Sequence, residues 1–140
     1  LIDRDQLALN IQGGVGLNFD PGLFEFVAEV RSGKQPAALE KALYEELAVL
    51  AKTPVSAAEL EKARNQRLAA FYRNLKTIAG KANLIGNYEV FRGGWQNLNQ
   101  VTAQLEKITP ADVQRVAAKY FTENNRTVGT LIPETPKEGK

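Results

Sequence analysis

The chain has 140 residues, enough for one domain with a real core, and its 18 basic and 16 acidic residues leave a net charge of +2. Charges mixed in this way create no broad positive field, so nucleic acid is not an expected partner. The chain contains no Cys and no His. Disulfides, thiolate nucleophiles and imidazole bases are therefore excluded, as are the usual nitrogen and sulfur ligand sets of zinc.

The start at Leu1, without an initiator methionine, reads as the interior of a longer polypeptide. Leu7, Leu9 and Ile11 alternate with Ala8, Asn10 and Gln12, the period of a half-buried strand. Gly13-Gly14 is expected to bend or bulge it before Val15, Leu17 and Phe19 resume the pattern. Gly13-Gly14-Val15-Gly16 lacks the lysine and following helix of a phosphate loop. Asp20-Pro21-Gly22 is a turn, so residues 15–31 predict an antiparallel hairpin. Phe24, Phe26, Ala28 and Val30 form its core face.

Pro36 suits the first position of a helix whose buried stripe is Leu39, Ala42, Leu43, Leu47, Ala48 and Leu50. Glu45 and Glu46 belong to its wet face. As neighbours they diverge by about 100° and cannot converge on one substrate as paired carboxylates must. After Thr53-Pro54, Ser56 and Glu59 form a capping-box signature. Leu60, Ala63, Arg67, Phe71, Leu75, Ile78, Ala82 and Ile85 then recur at helical spacing. They predict one long helix from Ala57 to Phe91, bent or broken near Gly80 or Gly86. Tyr72, Tyr88, Arg64, Arg73 and Lys76 spread around this helix and read as its solvated surface. Arg67 interrupts the apolar stripe, and a buried guanidinium there would need a carboxylate, carbonyl or ligand partner.

Arg92-Gly93-Gly94 ends the pattern, and Trp95 sits at the entry of a helix carrying Leu98, Val101, Leu105 and Ile108. Trp95 reads as a core anchor with its indole N–H bonded locally. Thr109-Pro110-Ala111-Asp112 opens a short helix over Val113, Val116, Ala117 and Tyr120. Arg126 to Ile132 predict a final strand, stopped at Pro133, with residues 134–140 a flexible tail. The expected fold is α+β, a two-layer unit with a largely antiparallel sheet covered on one face by helices. Three strands are a thin support for these helices, so a preceding or partner segment is expected to complete the layer.

Four blocks carry a family resemblance: D-P-G-L-F-E-F-V-A-E-V at 20–30, V-S-A-A-E-L-E-K-A-R at 55–64, L-I-G-N-Y-E-V-F-R-G-G-W at 84–95, and I-T-P-A-D-V to T-L-I-P at 108–133. In this order they resemble the insulinase-like zinc peptidases (M16), the clan of pitrilysin and the mitochondrial processing peptidase. The match is to the C-terminal portion of the inactive-type second domain of the short bacterial members, covering residues 1–133. The resemblance implies a chamber of paired domains in which an inverted His-x-x-Glu-His motif of the first domain binds Zn2+ and the second domain helps hold the peptide. This chain, having no histidine, cannot be the zinc half.

The expected function is thus the non-catalytic, substrate-binding and chamber-forming portion of a zinc metalloendopeptidase. Its partner would be an upstream segment or catalytic subunit that supplies the Zn2+, and its substrate a peptide. The chain itself is expected to carry no catalytic or metal-ligating residue and no transmembrane segment. Relatives lend an arginine and tyrosine pair to the active site, a pair that cannot be placed here residue by residue. Arg67 and Arg31 are the candidate substrate contacts. The implied location is the bacterial periplasm or cell envelope, with cytoplasm as the alternative. A competing reading is a non-enzymatic structural or assembly protein that retains the fold, as core subunits of the cytochrome bc1 complex do.

Overall fold

The computed structural model describes residues 1–16 and 18–132. Leu17, Pro133 and the predicted tail 134–140 lie outside the described residues. Alternating apolar residues give two strands, β1 (Ala8–Val15) and β2 (Phe24–Val30), paired antiparallel. β1 runs straight through Gly13-Gly14 instead of bending there. The reason is side-chain space across the ladder: a Cβ on Gly13 would stand 2.9 Å from the ring of Phe26, its paired residue, and 3.2 Å from Phe24. The irregularity falls earlier, between Ala8 and Asn10. This one-residue shift turns Ala8 onto the face of Val30, where it is fully buried, and leaves Leu9 half exposed. The predicted alternation is thereby inverted at the start of the strand.

The predicted core face of β2 does meet the helical layer. Phe24 and Phe26 stack at 4.9 Å and both reach Phe121, at 5.2 and 5.6 Å between ring centres. On the opposite face Val27 remains 68% exposed. The predicted third strand is absent among the described residues, for Arg126 to Ile132 form no regular element and pair with neither strand. Strand propensity there has no ladder to complete it.

Five α-helices follow: α1 (Pro36–Lys52), α2 (Ala57–Asn74), α3 (Ile78–Phe91), α4 (Val101–Glu106) and α5 (Pro110–Tyr120). Proline opens α1 and α5 as expected. Reciprocal capping boxes hold the starts of α2 and α5: Ser56 with Glu59, and Thr109 with Asp112. Hydrogen bonds from Ser56 and Thr109 favour the ionised carboxylates and hold the pKa values of Glu59 and Asp112 below their ordinary ones.

The single long helix is corrected to two, with the break at Leu75–Thr77, just ahead of Gly80. Thr77 caps α3 by accepting the Gly80 N–H at 3.0 Å. A Cβ on Gly80 would collide with the Asn74 carbonyl oxygen, so only glycine lets the two helix ends approach this closely. The helix expected from Trp95 to Ile108 is likewise divided, into a 3₁₀ segment (Trp95–Gln100) and α4. Arg92-Gly93-Gly94 does end α3, with φ of 73° at Gly93 and 122° at Gly94.

The best-closed part of the molecule is the seam between α1 and α5. Leu39 and Ala117 are buried, whereas Ala48, predicted for the buried stripe of α1, is exposed. Gln114 donates to the Lys52 carbonyl at 2.9 Å, closing the end of α1. Arg126 lies 3.7 Å over the Tyr44 ring and ties the segment after α5 back to α1. At the N-terminus Arg4 bridges Asp5 and Glu46, and its hydrogen bond draws the Asp5 carboxyl down to about 2. Glu45 stays on the wet face, 3.9 Å from Lys41. The whole is a two-layer α/β unit with a small, open antiparallel sheet set against several helices.

Candidate functional site

The α2–α3 corner and the 3₁₀ segment enclose the most site-like concavity, a groove of about 410 Å³. Phe71, Tyr72 and Leu75 reach it from the end of α2, Lys81 and Ile85 from α3, and Trp95 and Leu98 from the 3₁₀ segment. Local chemistry explains the convergence. Leu75, the residue that caps α2, follows Tyr72 by three positions and Phe71 by four, so it neighbours both. The break at Leu75–Thr77 turns α3 back so that Lys81 and Ile85 face them. The Trp95 backbone N–H donates to Glu89 Oε2 at 3.0 Å, fixing the indole at the rim. Tyr72 and Thr102 hydroxyls meet at 3.2 Å and link α2 to α4 along one wall.

Trp95 is therefore not the anchored core residue expected. It is 49% exposed, as Tyr72 and Ile85 are to a similar degree. Among the described residues its indole N–H makes no hydrogen bond, and the Glu89 carboxylate holds its backbone N–H instead.

The inward face of α2 also differs from the predicted stripe. Arg67 is exposed, and Arg64, three residues earlier, is the arginine turned toward the protein. Its guanidinium donates to the carbonyls of Leu105 at 3.0 Å and Ile108 at 3.1 Å, with Glu106 at 3.5 Å. These carbonyls gather at the C-terminal end of α4 and in the turn that follows it, where a cation suits the negative helix end. Arg64 was assigned to the solvated surface; it is structural instead. Arg67 stands one turn before Phe71 and is not among the residues that line the groove. Arg31 lies elsewhere, at the exit of β2, where its backbone N–H donates to Leu7 and its buried Nε lacks a partner. The fold does not bring the two arginines into one site with each other.

A zinc site does not fit these residues. The chain offers no imidazole and no thiolate, and no three carboxylates gather closely enough among the described residues to hold a metal ion. Among those residues no helix is long and apolar enough to cross a membrane.

The comparisons with known proteins agree with this donor set. Residues 1–67 match the family described as the Peptidase M16 inactive domain. The chain is 29% identical over 133 residues to the zinc protease PqqE of Helicobacter pylori, covering 95% of this chain and 30% of that protein's length. Among solved structures, a protease from Helicobacter pylori superposes with a TM-score of 0.77 at 27% identity, over 89% of this chain and 30% of that one. A provisionally assigned zinc protease from Bordetella pertussis Tohama I gives 0.74 at 28% identity, over 92% of this chain and 71% of that one. The chain thus spans less than a third of the curated relative it matches. Fold, sequence likeness and donor set converge on the insulinase-like M16 peptidases: the chain is similar to the C-terminal portion of an inactive-type domain of that family.

Proposed function

We propose that this chain is the substrate-binding and chamber-forming, non-catalytic portion of a zinc metalloendopeptidase that cleaves peptides or unfolded polypeptides. The zinc site lies in another segment or subunit. One observation carries the reading: a chain related to zinc proteases over 95% of its length contains no residue of the kind that holds catalytic zinc except scattered carboxylates. Zinc, when bound in the partner, supplies an activated water for peptide hydrolysis. This chain's contribution is to bind and position the polypeptide and to wall the space from solvent.

The surface supports a role beside a partner. The accessible area is 11244 Å², against roughly 7,200 Å² for a compact monomer of this size. The chain thus leaves more surface open to solvent than a compact monomer does. Leu23, Val27 and Phe19 are more than two-thirds exposed around the hairpin, apolar surface open to a partner. A catalytic domain or subunit covering that surface fits the family. Location in the bacterial periplasm or cell envelope is part of the same proposal, and fractionation of the producing cells checks it.

The test is peptide hydrolysis by the complete protein. An unfolded polypeptide should be cut, with activity lost to a chelator and restored by Zn2+. A complete protein that folds, contains this chain and cuts no peptide under any metal condition would favour the structural or assembly reading.

A further inference from the structure

The segment that follows α5 has the composition of a strand and none of its bonds. From Thr127 to Ile132 the sequence T-V-G-T-L-I carries no charge and no proline, and Thr127, Val128, Thr130 and Ile132 are β-branched. Among the described residues no backbone hydrogen bond reaches residues 126–132, and the sheet consists of β1 and β2 alone. The side chains are as open as the backbone: Val128 is 51%, Ile132 71% and Leu131 96% exposed. An uncharged stretch of high β-propensity left bare is a template for pairing with any passing chain. Pairing with a defined strand removes that hazard.

The start of the segment is held in place. Arg126 has extended backbone angles, and its guanidinium lies 3.7 Å over the Tyr44 ring of α1, with Glu123 at 3.9 Å. Phe121, five residues earlier, packs on Phe24 and Phe26 of β2. The segment is thus delivered from the boundary between helices and sheet, yet it takes neither edge of the hairpin.

We propose that residues 126–132 pair as a strand with an extended segment of the same polypeptide that lies outside residues 1–140. The hairpin is not that partner, since both of its strands are in place and neither pairs with the segment. Relatives give the scale of the remaining polypeptide: the Bordetella pertussis structure aligns over 71% of its own length, so more than a quarter of it has no counterpart in this chain. A row of main-chain donors and acceptors roughly 23 Å long is matched by another main chain and not by a small ligand. A peptide substrate would match it too, but would leave the uncharged segment bare between turnovers. A strand of the protein itself covers it permanently. In the ladder Val128, Thr130 and Ile132 occupy one face and Thr127, Gly129 and Leu131 the other. The first set is β-branched throughout and suits a packed face. This inference goes beyond the proposed function and does not depend on peptide hydrolysis.

The experiment is hydrogen–deuterium exchange on the complete protein, in chelator and without added peptide, at a low and a high protein concentration. A synthetic peptide of residues 122–132 supplies the unpaired reference rates. Amides of residues 127–132 should exchange at least about 100-fold more slowly in the protein than in the peptide, at both concentrations. Thr130→Pro removes one N–H and should abolish that protection, while unchanged exchange in α1 shows that the variant is folded. If the variant does not fold, crosslinking decides. A photoreactive benzophenone side chain at position 131 should form an adduct, within one polypeptide, with a residue outside 1–140.

Peptide-like exchange of the segment in the folded protein would overturn the proposal. So would protection that appears only with added peptide, which makes the segment a substrate-binding edge, or protection lost on dilution, which makes it a contact between copies. Protection unmoved by Thr130→Pro in a folded variant, or adducts confined to residues 1–140 or to a separate subunit, would overturn it equally. The two readings fail separately. Chelator-sensitive hydrolysis by a protein whose segment exchanges freely sinks the strand alone, whereas a protected segment without any hydrolysis sinks the peptidase reading alone.

Discussion

Between α1 and α5 the chain closes on itself, and around the hairpin and α2–α3 it does not. In the first region Leu39 and Ala117 are buried, Gln114 closes the end of α1, and Arg126 covers Tyr44. In the second, neither α2 nor α3 contains a fully buried residue, and Val27, Leu23 and Ile78 stand in solvent. Both regions have well-formed local structure, since capping boxes and helix ends are satisfied in each. The difference teaches that local signals make the elements of this chain, whereas long-range burial holds only some of them together.

The most forceful way to break the closed seam is Leu39→Ala. Removing a side chain that is 4% exposed should cost about 2–4 kcal/mol, read from the urea midpoint of the complete protein. An equal truncation at Val27, 68% exposed, should cost far less unless the partner buries it. Gly80→Ala attacks the corner of the open region, where the new methyl meets the Asn74 carbonyl oxygen. A loss of about 1–3 kcal/mol is expected, with the α2–α3 angle and groove altered in step. Arg64→Met keeps the apolar stem but strips the donors from the Leu105 and Ile108 carbonyls. It should cost about 1–2 kcal/mol, whereas Arg67→Met should leave thermal stability nearly unchanged.

Smaller effects should follow pH. Asp5 is drawn to about 2 by Arg4, and Glu59 and Asp112 are held below their ordinary 4.5 and 3.8 by Ser56 and Thr109. The folded chain therefore binds fewer protons than the unfolded one between those limits. Their stabilisation is fully present above the unfolded values and is lost as pH falls through the lower folded ones. Urea midpoints should rise between pH 2 and 4.5, and Glu59→Gln together with Asp112→Asn should flatten the slope. The smallest change has the opposite sign. Gly86, in the interior of α3 with nothing within 4 Å of a new Cβ, should stabilise the protein by about 0.5–1 kcal/mol when changed to Ala.

Signals that act within one turn of chain were legible in the sequence. Ser56 with Glu59, Thr109-Pro110 with Asp112, Pro36 and Gly93-Gly94 all sit where their chemistry places them. The α2–α3 break was less legible, because Phe71, Leu75, Ile78, Ala82 and Ile85 keep helical spacing straight across it. What breaks the helix is the Thr77 cap and the approach that Gly80 permits, and periodicity does not encode either. Arg64 and Arg67 differ by about 60° around the helix axis, so both fit a broad stripe. Only the position of the α4 carbonyls decides which one turns inward. Likewise Tyr72 and Trp95 were visible as residues but not as one groove, since their meeting depends on the direction of α3. The segment Arg126 to Ile132 has strand composition without a strand, because pairing is a property of the neighbour.

Family resemblance reached further than pattern, since the inactive M16 domain follows from motif order together with the missing histidines. Arg31 and Arg67 as substrate contacts stand as part of the proposal, and neither is among the residues that line the groove.

The central claim is that this chain serves a zinc peptidase without holding its zinc. Measuring zinc stoichiometry for residues 1–140 alone, beside the complete protein, tests it most directly. The account predicts no bound zinc in the chain and a chelator-removable zinc in the complete protein. Stoichiometric zinc retained by residues 1–140, or none retained by a folded complete protein, would contradict it.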